Sequence, residues 1–218
     1  MLEARAARHS GRAYRSDPVP QEVREDLARF TDELNRASGL DMIIVYDDPS
    51  GFDSALARYG RFRGVSNYIV LKGSDMPDFD YMCGYFGEAL VLRAQQLGLN
   101  TCWTAMTFNK KRVKALVPAE QKLCMAIALG YGETQGRPRR SKTAADVTDG
   151  SVPELFSDGI EAALKAPTAM NQQKFSFFEE DGAPGIRVKG IGSYTRVGLG
   201  IAAYHFEAAT GIAVKAKL

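Results

Sequence analysis

From Gln21 to Ala37 apolar residues recur at Val23, Leu27, Phe30 and Leu34, the spacing of one helical face, and Gly39 closes the run. Met42 to Tyr46 is a short β-branched stretch ending in DDPSG, which predicts a strand and then a turn. Phe52 to Tyr59 reads as a short helix and Ser66 to Lys72 as a second strand. Gly87 to Leu97 is apolar on several faces, as a central helix would be, and Gly98 ends it. Thr101 to Thr104 continues as strand or loop. Asn109 to Leu116 is a basic helix with an N-cap asparagine, and Cys124 to Leu129 is a buried strand. Pro153 to Leu164 predicts a helix that Pro167 breaks, followed by strands at Phe175 to Glu179 and Ile186 to Lys189. Gly200 to Thr210 is a final helix closed by Gly211. At the start, residues 1–12 read as a short basic helix whose polar stripe carries Arg5, Arg8 and Arg12, with Ser10 between them.

The pattern contains an echo. Gly87 and Gly98 bracket one Ala-containing helix, and Gly200 and Gly211 bracket another at the same spacing. A helix running into an aromatic or β-branched strand precedes each, over residues 21–46 and 153–178. The expectation is a single domain over 1–218 with an N-terminal helix at 1–14. Two pseudo-symmetric half-units then follow, at about 15–147 and 150–218.

Composition narrows the chemistry. At 218 residues the chain suffices for one domain and buries roughly 70% of its unfolded surface. Lys plus Arg number 28 against 26 Asp plus Glu, too even a balance for nucleic acid as a bulk electrostatic partner. Cys83, Cys102 and Cys124 form no CxxC pair and only His9 and His205 are present, so no metal site is expected. An odd, sparse cysteine count favours a reducing compartment, and no apolar segment is long enough for a bilayer. A cytoplasmic protein without a membrane partner is the expectation.

Four segments could carry chemistry. Arg8-His9-Ser10-Gly11-Arg12 puts two guanidinium groups and a hydroxyl close together, a set that holds phosphate through charge-assisted bonds; a solvated basic helix end is the alternative. Gly130 to Lys142 combines three glycines with Arg137, Arg139, Arg140 and Lys142, suited to an anion or to a plain linker. Asn171, Gln172 and Gln173 precede a strand and present amides able to read the edge of a heterocycle, or to cap their own loop. Gly98 to Asn109 surrounds Trp103 with small residues, which lets a flat ligand approach the backbone, unless Trp103 is core. His205 reads as a packed or surface histidine, and no Ser/His/Asp set is credible.

Taken together, R-x-S-x-R, GLNTCW, the GYG strand end with its basic residues and APTAMNQQ resemble the nitroreductase family of flavoproteins. The amide-rich loop arrives only at residue 166, after the GYG loop, so the chain resembles a subgroup in which two half-units are fused. YGRFRG, GYFGEALVLRAQQLGLNTCW, TFNKKRV, APTAMNQQKF and GIAAYHFE all look like that subgroup, over about residues 5–211. The resemblance implies an α+β fold with a central antiparallel sheet flanked by helices, and one FMN per chain, so that a monomer suffices.

By that resemblance, Arg8, Ser10 and Arg12 would hold the FMN phosphate and ribityl end, with added positive charge from Arg139, Arg140 and Lys142. Asn171 and Gln173 would bind the polar edge of the flavin or its ribityl hydroxyls. Trp103, Thr104, Ala105 and Met106 would run beside the isoalloxazine, with an Ala105 or Met106 N–H directed at N5. The implied activity is an FMN-dependent oxidoreductase that takes hydride from NAD(P)H and reduces a flat acceptor such as a nitroaromatic or quinone, with no catalytic side chain of its own. The subgroup has glycines where this chain has Ala105-Met106, and Asp where it has Gly198. Those departures admit a second reading, a flavin-binding, non-catalytic or sensor-like relative.

Overall fold

The computed structural model describes residues 8–136 and 139–218. They form two compact units. The first contains residues 8–77 and 90–136; the second contains Asp78–Ala89 and Arg139–Leu218.

The first unit is built on a four-stranded antiparallel sheet in the order β1 (Ile43–Val45), β2 (Asn67–Ser74), β4 (Gln121–Gly130), β3 (Asn100–Thr104). Strand β4 is internal, with Ala126 and Ala128 opposite Val70 and Tyr68 of β2 and opposite Thr104 and Cys102 of β3. Side chains alternate across a strand, so Tyr68, Val70, Cys102, Ala126 and Ala128 share one face, where they join Tyr14, Phe52, Phe62, Phe108 and Val113 in an apolar cluster. Ile69, Leu71, Ile127 and Leu129 point to the opposite face and are also fully buried. Both faces of the sheet are therefore covered, which accounts for the nearly unbroken apolar runs in β2 and β4.

Helix α1 (Gln21–Ser38) lays its predicted stripe inward, with Leu27 fully buried, and ends at Gly39, whose left-handed φ of 74° suits glycine. Asp26 on α1 receives a two-pronged bond from Arg93, at 2.8 and 2.6 Å. The Arg93 hydrogen bond holds the Asp26 carboxyl below its usual range. Short helices α2 (Ala55–Tyr59) and α4 (Lys110–Lys114) complete the unit, capped by the Ser54 and Asn109 side chains.

The second unit carries a three-stranded sheet, β5 (Phe175–Glu180), β6 (Ala183–Val188) and β7 (Lys215–Lys217). β5 and β6 form a hairpin through Asp181-Gly182, whose φ values of 54° and 79° match the turn that joins twisted strands. β7 lies parallel to β6, because helix α6 (Thr195–Thr210) intervenes and returns the chain in the same direction. Helix α5 (Ser157–Ala163) packs on α6, with Gly159 seated on the Phe206 ring.

Helix α3 (Phe79–Gln96) has its residues up to Ala89 in the second unit, where they cross α6 closely. A Cβ on Gly84 would stand 2.1 Å from the Val197 carbonyl oxygen, so the two backbones meet without side chains between them. Beside this crossing, His205 Nε2 and Glu88 Oε1 are 2.8 Å apart, both side chains fully buried. Tyr85 donates its hydroxyl to Glu207.

Three expectations need correction. In place of one central sheet the strands form two, one of them with a parallel pair. The helices expected at 87–97 and 200–210 begin earlier, at Phe79 and Thr195: Gly87 lies inside the first, and Gly200, inside the second, marks a close approach rather than a helix end. The N-terminal helix expected at 1–14 falls largely on 1–7, outside the described residues; residues 8–14 are extended. Ser10 bridges to Thr101, Ala13 to Arg63 and Tyr14 to Gly132, so the segment runs beside β3 as an added strip of backbone.

Candidate functional site

The extended backbone at 8–12 changes how the basic motif works. Arg8, Ser10 and Arg12 stand at i, i+2 and i+4, which places all three on one side of an extended chain. Arg8 is 4% exposed, so one guanidinium lies almost wholly inside the protein. The three side chains meet the thiol of Cys102, itself 2% exposed on β3. Burial pushes that thiol up; the charges of Arg12 and Arg8 and hydrogen bonds from Arg12 and Ser10 pull it down without overcoming burial. Cys102 is thus held as a neutral thiol beside the arginines. Tyr14 anchors the end of the strip by donating to the Gly11 carbonyl at 2.8 Å.

The glycine-rich loop serves this strip. Arg15 N–H donates to Tyr131 O at 2.8 Å, Glu133 N–H donates to Ala13 O at 2.9 Å, and Gly136 lies on His9. Asn100 fastens the loop from below, accepting from Gly132 N–H and donating to Gln135 Oε1, both at 2.9 Å. Gly130 to Gly136 thus packs along the strip that carries the arginines. Arg137 lies outside the described residues.

Trp103 and Thr104 end β3, and Ala105 and Met106 form the turn that follows. The turn is closed by side chains: the Thr104 and Thr107 hydroxyls are 2.7 Å apart, and Thr107 N–H donates to Thr104 Oγ1 at 3.2 Å. Thr104 is buried and Met106 is 59% exposed, so this turn presents its outer edge to solvent.

In the second unit, residues 139–142 are laced to the 164–173 turn. Arg139 donates to Ala166 O at 2.6 Å, and Asn171 Nδ2 donates to Arg140 O at 2.6 Å. Lys142 uses its N–H on Gln173 Oε1 at 2.7 Å and its ammonium on Gln173 O at 2.9 Å. Gln173 is 1% exposed, and its Nε2 donates to Leu164 O at 2.7 Å. Both ends of that amide are engaged within the protein, so its position here is that of a turn anchor. Asn171 differs: its Oδ1 is buried without a hydrogen-bond partner among the described residues. The Arg140 side chain is exposed. A hollow of about 400 Å³ lies elsewhere in this unit, between the Ala144–Thr148 turn and α5.

The profile of the family described as "Putative TM nitroreductase" matches residues 1–210. The chain belongs to this family. Among solved structures, this nitroreductase-family chain is similar to a "putative nitroreductase" of Thermotoga maritima, with 22% identity over 95% of this chain and 82% of that one, at a TM-score of 0.67. A nitroreductase-like protein of Streptococcus mutans shares 13% identity over 70% of this chain and 97% of its own, at a TM-score of 0.55. An FMN-dependent nitroreductase of Clostridium difficile shares 16% identity over 67% of this chain and 94% of its own, at a TM-score of 0.51. These likenesses establish the nitroreductase-like α+β fold. No curated protein matches the chain. Among the described residues no helix is long and apolar enough to cross a membrane.

For this nitroreductase-family chain, the structure brings Arg8, Ser10 and Arg12 together, and separately Arg139, Lys142, Asn171 and Gln173. Cys102 went unnoticed in the sequence, although GLNTCW contains it. Its signal was alternation: on an Asn100–Thr104 strand, Cys102 points to the same face as Asn100 and Thr104.

Proposed function

We propose that this nitroreductase-family oxidoreductase binds FMN, passes hydride from NAD(P)H through it and reduces a flat acceptor of the nitroaromatic or quinone kind. One observation carries the reading: the line of Arg8, Ser10 and Arg12 on one side of an extended strip, with Arg8 buried. The donor set fits a phosphate monoester, since guanidinium forks match its oxygens in pairs and a serine hydroxyl supplies a third donor. When bound, FMN supplies the hydride-accepting ring; the protein supplies position and charge. Arg8 and Arg12 hold the phosphate, and Ser10 orients it. The side chains that close the Thr104–Thr107 turn hold the Ala105 and Met106 amides in place as donors to the ring edge. In the second unit Asn171 Oδ1, without a hydrogen-bond partner among the described residues, accepts from a ligand hydroxyl, and Arg139, Arg140 and Lys142 add positive charge near it. Gln173 keeps the turn in shape.

The non-catalytic alternative drew on Met106 and Gly198. Met106 is 59% exposed, and the nearest atom to a Cβ on Gly198 is Thr168 Cγ2 at 3.4 Å, so neither residue fills space a ring would need in its own unit.

The purified protein is expected to show flavin absorption bands, or to gain them with added FMN, and to bleach anaerobically with NADPH or NADH. A colourless protein that gains nothing from FMN would remove the cofactor reading; bound flavin that neither nucleotide bleaches would favour the non-catalytic one. Arg8→Ala and Arg12→Ala are each expected to weaken FMN binding by about 1–3 kcal/mol, the scale of a charged hydrogen bond. Titration of the flavin fluorescence measures it, and unchanged affinity in both variants would take the phosphate away from this strip.

A further inference from the structure

We propose that the face of the first unit formed by α2, Arg61 and α4 takes the 2′-phosphoadenosine end of NADPH, and so selects NADPH over NADH. The inference rests on the oxidoreductase reading above and names its reductant.

Two chain segments build this face. Asn109 N–H donates to Gly51 O at 2.7 Å, and its side-chain amide reaches Asp53 O at 3.4 Å, which fixes the start of α4 against the turn before α2. At the other end a Cβ on Gly60 would stand 2.6 Å from Thr107 Cβ, so the segment leaving α2 lies directly on the turn that holds Met106. Residues 51 and 53 therefore meet Asn109, and residue 60 meets Thr107, next to the Trp103–Met106 edge assigned to the flavin ring.

The face is positive without compensation. Helix α4 is KKRVK: it buries Val113 and exposes Lys110, Lys111, Arg112 and Lys114. Arg61, which follows Gly60, is exposed and holds a left-handed φ of 62°. Among the described residues none of Arg61, Lys110, Lys111 and Lys114 is in an ion pair. The nearby carboxylates are engaged: Asp53 pairs with Arg58 at 3.0 Å, and Asp48 accepts from Ser50 N–H at 2.8 Å and Tyr68 O–H at 3.1 Å, with Arg112 as its nearby charge. Lys114 sits three and four positions from Lys111 and Lys110, so like charges neighbour each other on the helix and weaken it. An anionic ligand relieves that repulsion.

The same face offers an aromatic surface. Tyr59 is 85% exposed at the end of α2, and Leu56 on the same helix is 53% exposed. An exposed ring two residues from Arg61, on a segment whose start touches the start of the lysine-bearing α4, fits a purine that carries phosphate: the ring stacks the base and the cations take the phosphates. NADH brings only its pyrophosphate, whereas NADPH adds a phosphate monoester of nearly two charges. The surplus of cations matches the second.

The test titrates 2′,5′-ADP and 5′-AMP into the FMN-loaded protein by calorimetry at low ionic strength. The two fragments lack nicotinamide and read the face without any redox step. The expected result is 2′,5′-ADP binding at least about tenfold tighter, with Arg61→Ala and Lys111→Ala each removing most of that difference and Tyr59→Ala weakening both fragments alike. Equal affinity for the two fragments, or a preference untouched by both charge variants, overturns the proposal. Flavin content and bleaching are read separately. A protein without flavin would sink the oxidoreductase reading while the same titration, run on the protein as purified, still decides this one.

Discussion

Replacing Gly200 with alanine is expected to destabilise the second unit by at least about 3 kcal/mol. The added Cβ would stand 2.1 Å from Tyr81 O and 2.7 Å from Tyr85 N, both main-chain atoms of α3. A flexible side chain could turn aside, but a helix backbone cannot, so α3 and α6 must separate. Separation would open the contact at Gly84 and loosen the buried side chains on both helices, among them Phe206 and Ala203. Helix propensity favours alanine over glycine by about 1 kcal/mol, which is too little to offset the clash. Gly198→Ala is the control. Its Cβ would meet Thr168 Cγ2 at 3.4 Å, an ordinary contact, so that variant should equal the parent or exceed it by up to about 1 kcal/mol. Urea unfolding followed by circular dichroism separates the two. A Gly200→Ala protein with the parental midpoint would mean that the helices do not approach this closely.

Glu88→Ala is expected to cost about 3–5 kcal/mol, because it leaves the buried polar ring of His205 without the carboxylate 2.8 Å away. The polar pair is costly to break rather than strongly stabilising in itself. Replacing both residues with apolar ones of similar size, Glu88→Leu with His205→Phe, should therefore recover most of the loss. A double-mutant cycle measures this directly: a large positive coupling supports the pair, whereas additive single losses would show that each residue acts through other neighbours.

Much of the framework was legible in the chain. The Val23, Leu27, Phe30, Leu34 stripe and the apolar runs of β2 and β4 announce themselves because one face, or both, must be buried. Glycines misled at α3 and α6. Gly87 and Gly200 read as helix ends when only local propensity is considered, and the backbone that Gly200 meets, at Tyr81 and Tyr85, lies more than a hundred residues away. The arginine motif misled differently. Arg8 and Arg12 share a side under either helical or extended periodicity, so the pair alone cannot choose between them. Ser10 does choose, since only the extended form brings it alongside both, but a segment this polar has no apolar rhythm to reveal its conformation. Gln173 could not be placed from sequence, because its amide is satisfied by Lys142 and Leu164, groups 31 and 9 residues away.

The turn before β5 holds Met170, Asn171 and Gln173 at φ values of 51°, 55° and 46°, a conformation that disfavours side chains by roughly 1–2 kcal/mol per residue. Its shape is imposed from outside, by the Lys142 and Leu164 groups that grip Gln173 and by the Thr168 hydroxyl that accepts from the Gln173 N–H. Such a turn has no reason to persist once residues 139–142 lift away. Residues 139–142 and the bend they clasp should thus unzip and re-form as one event, exchanging their amide protons at a common rate.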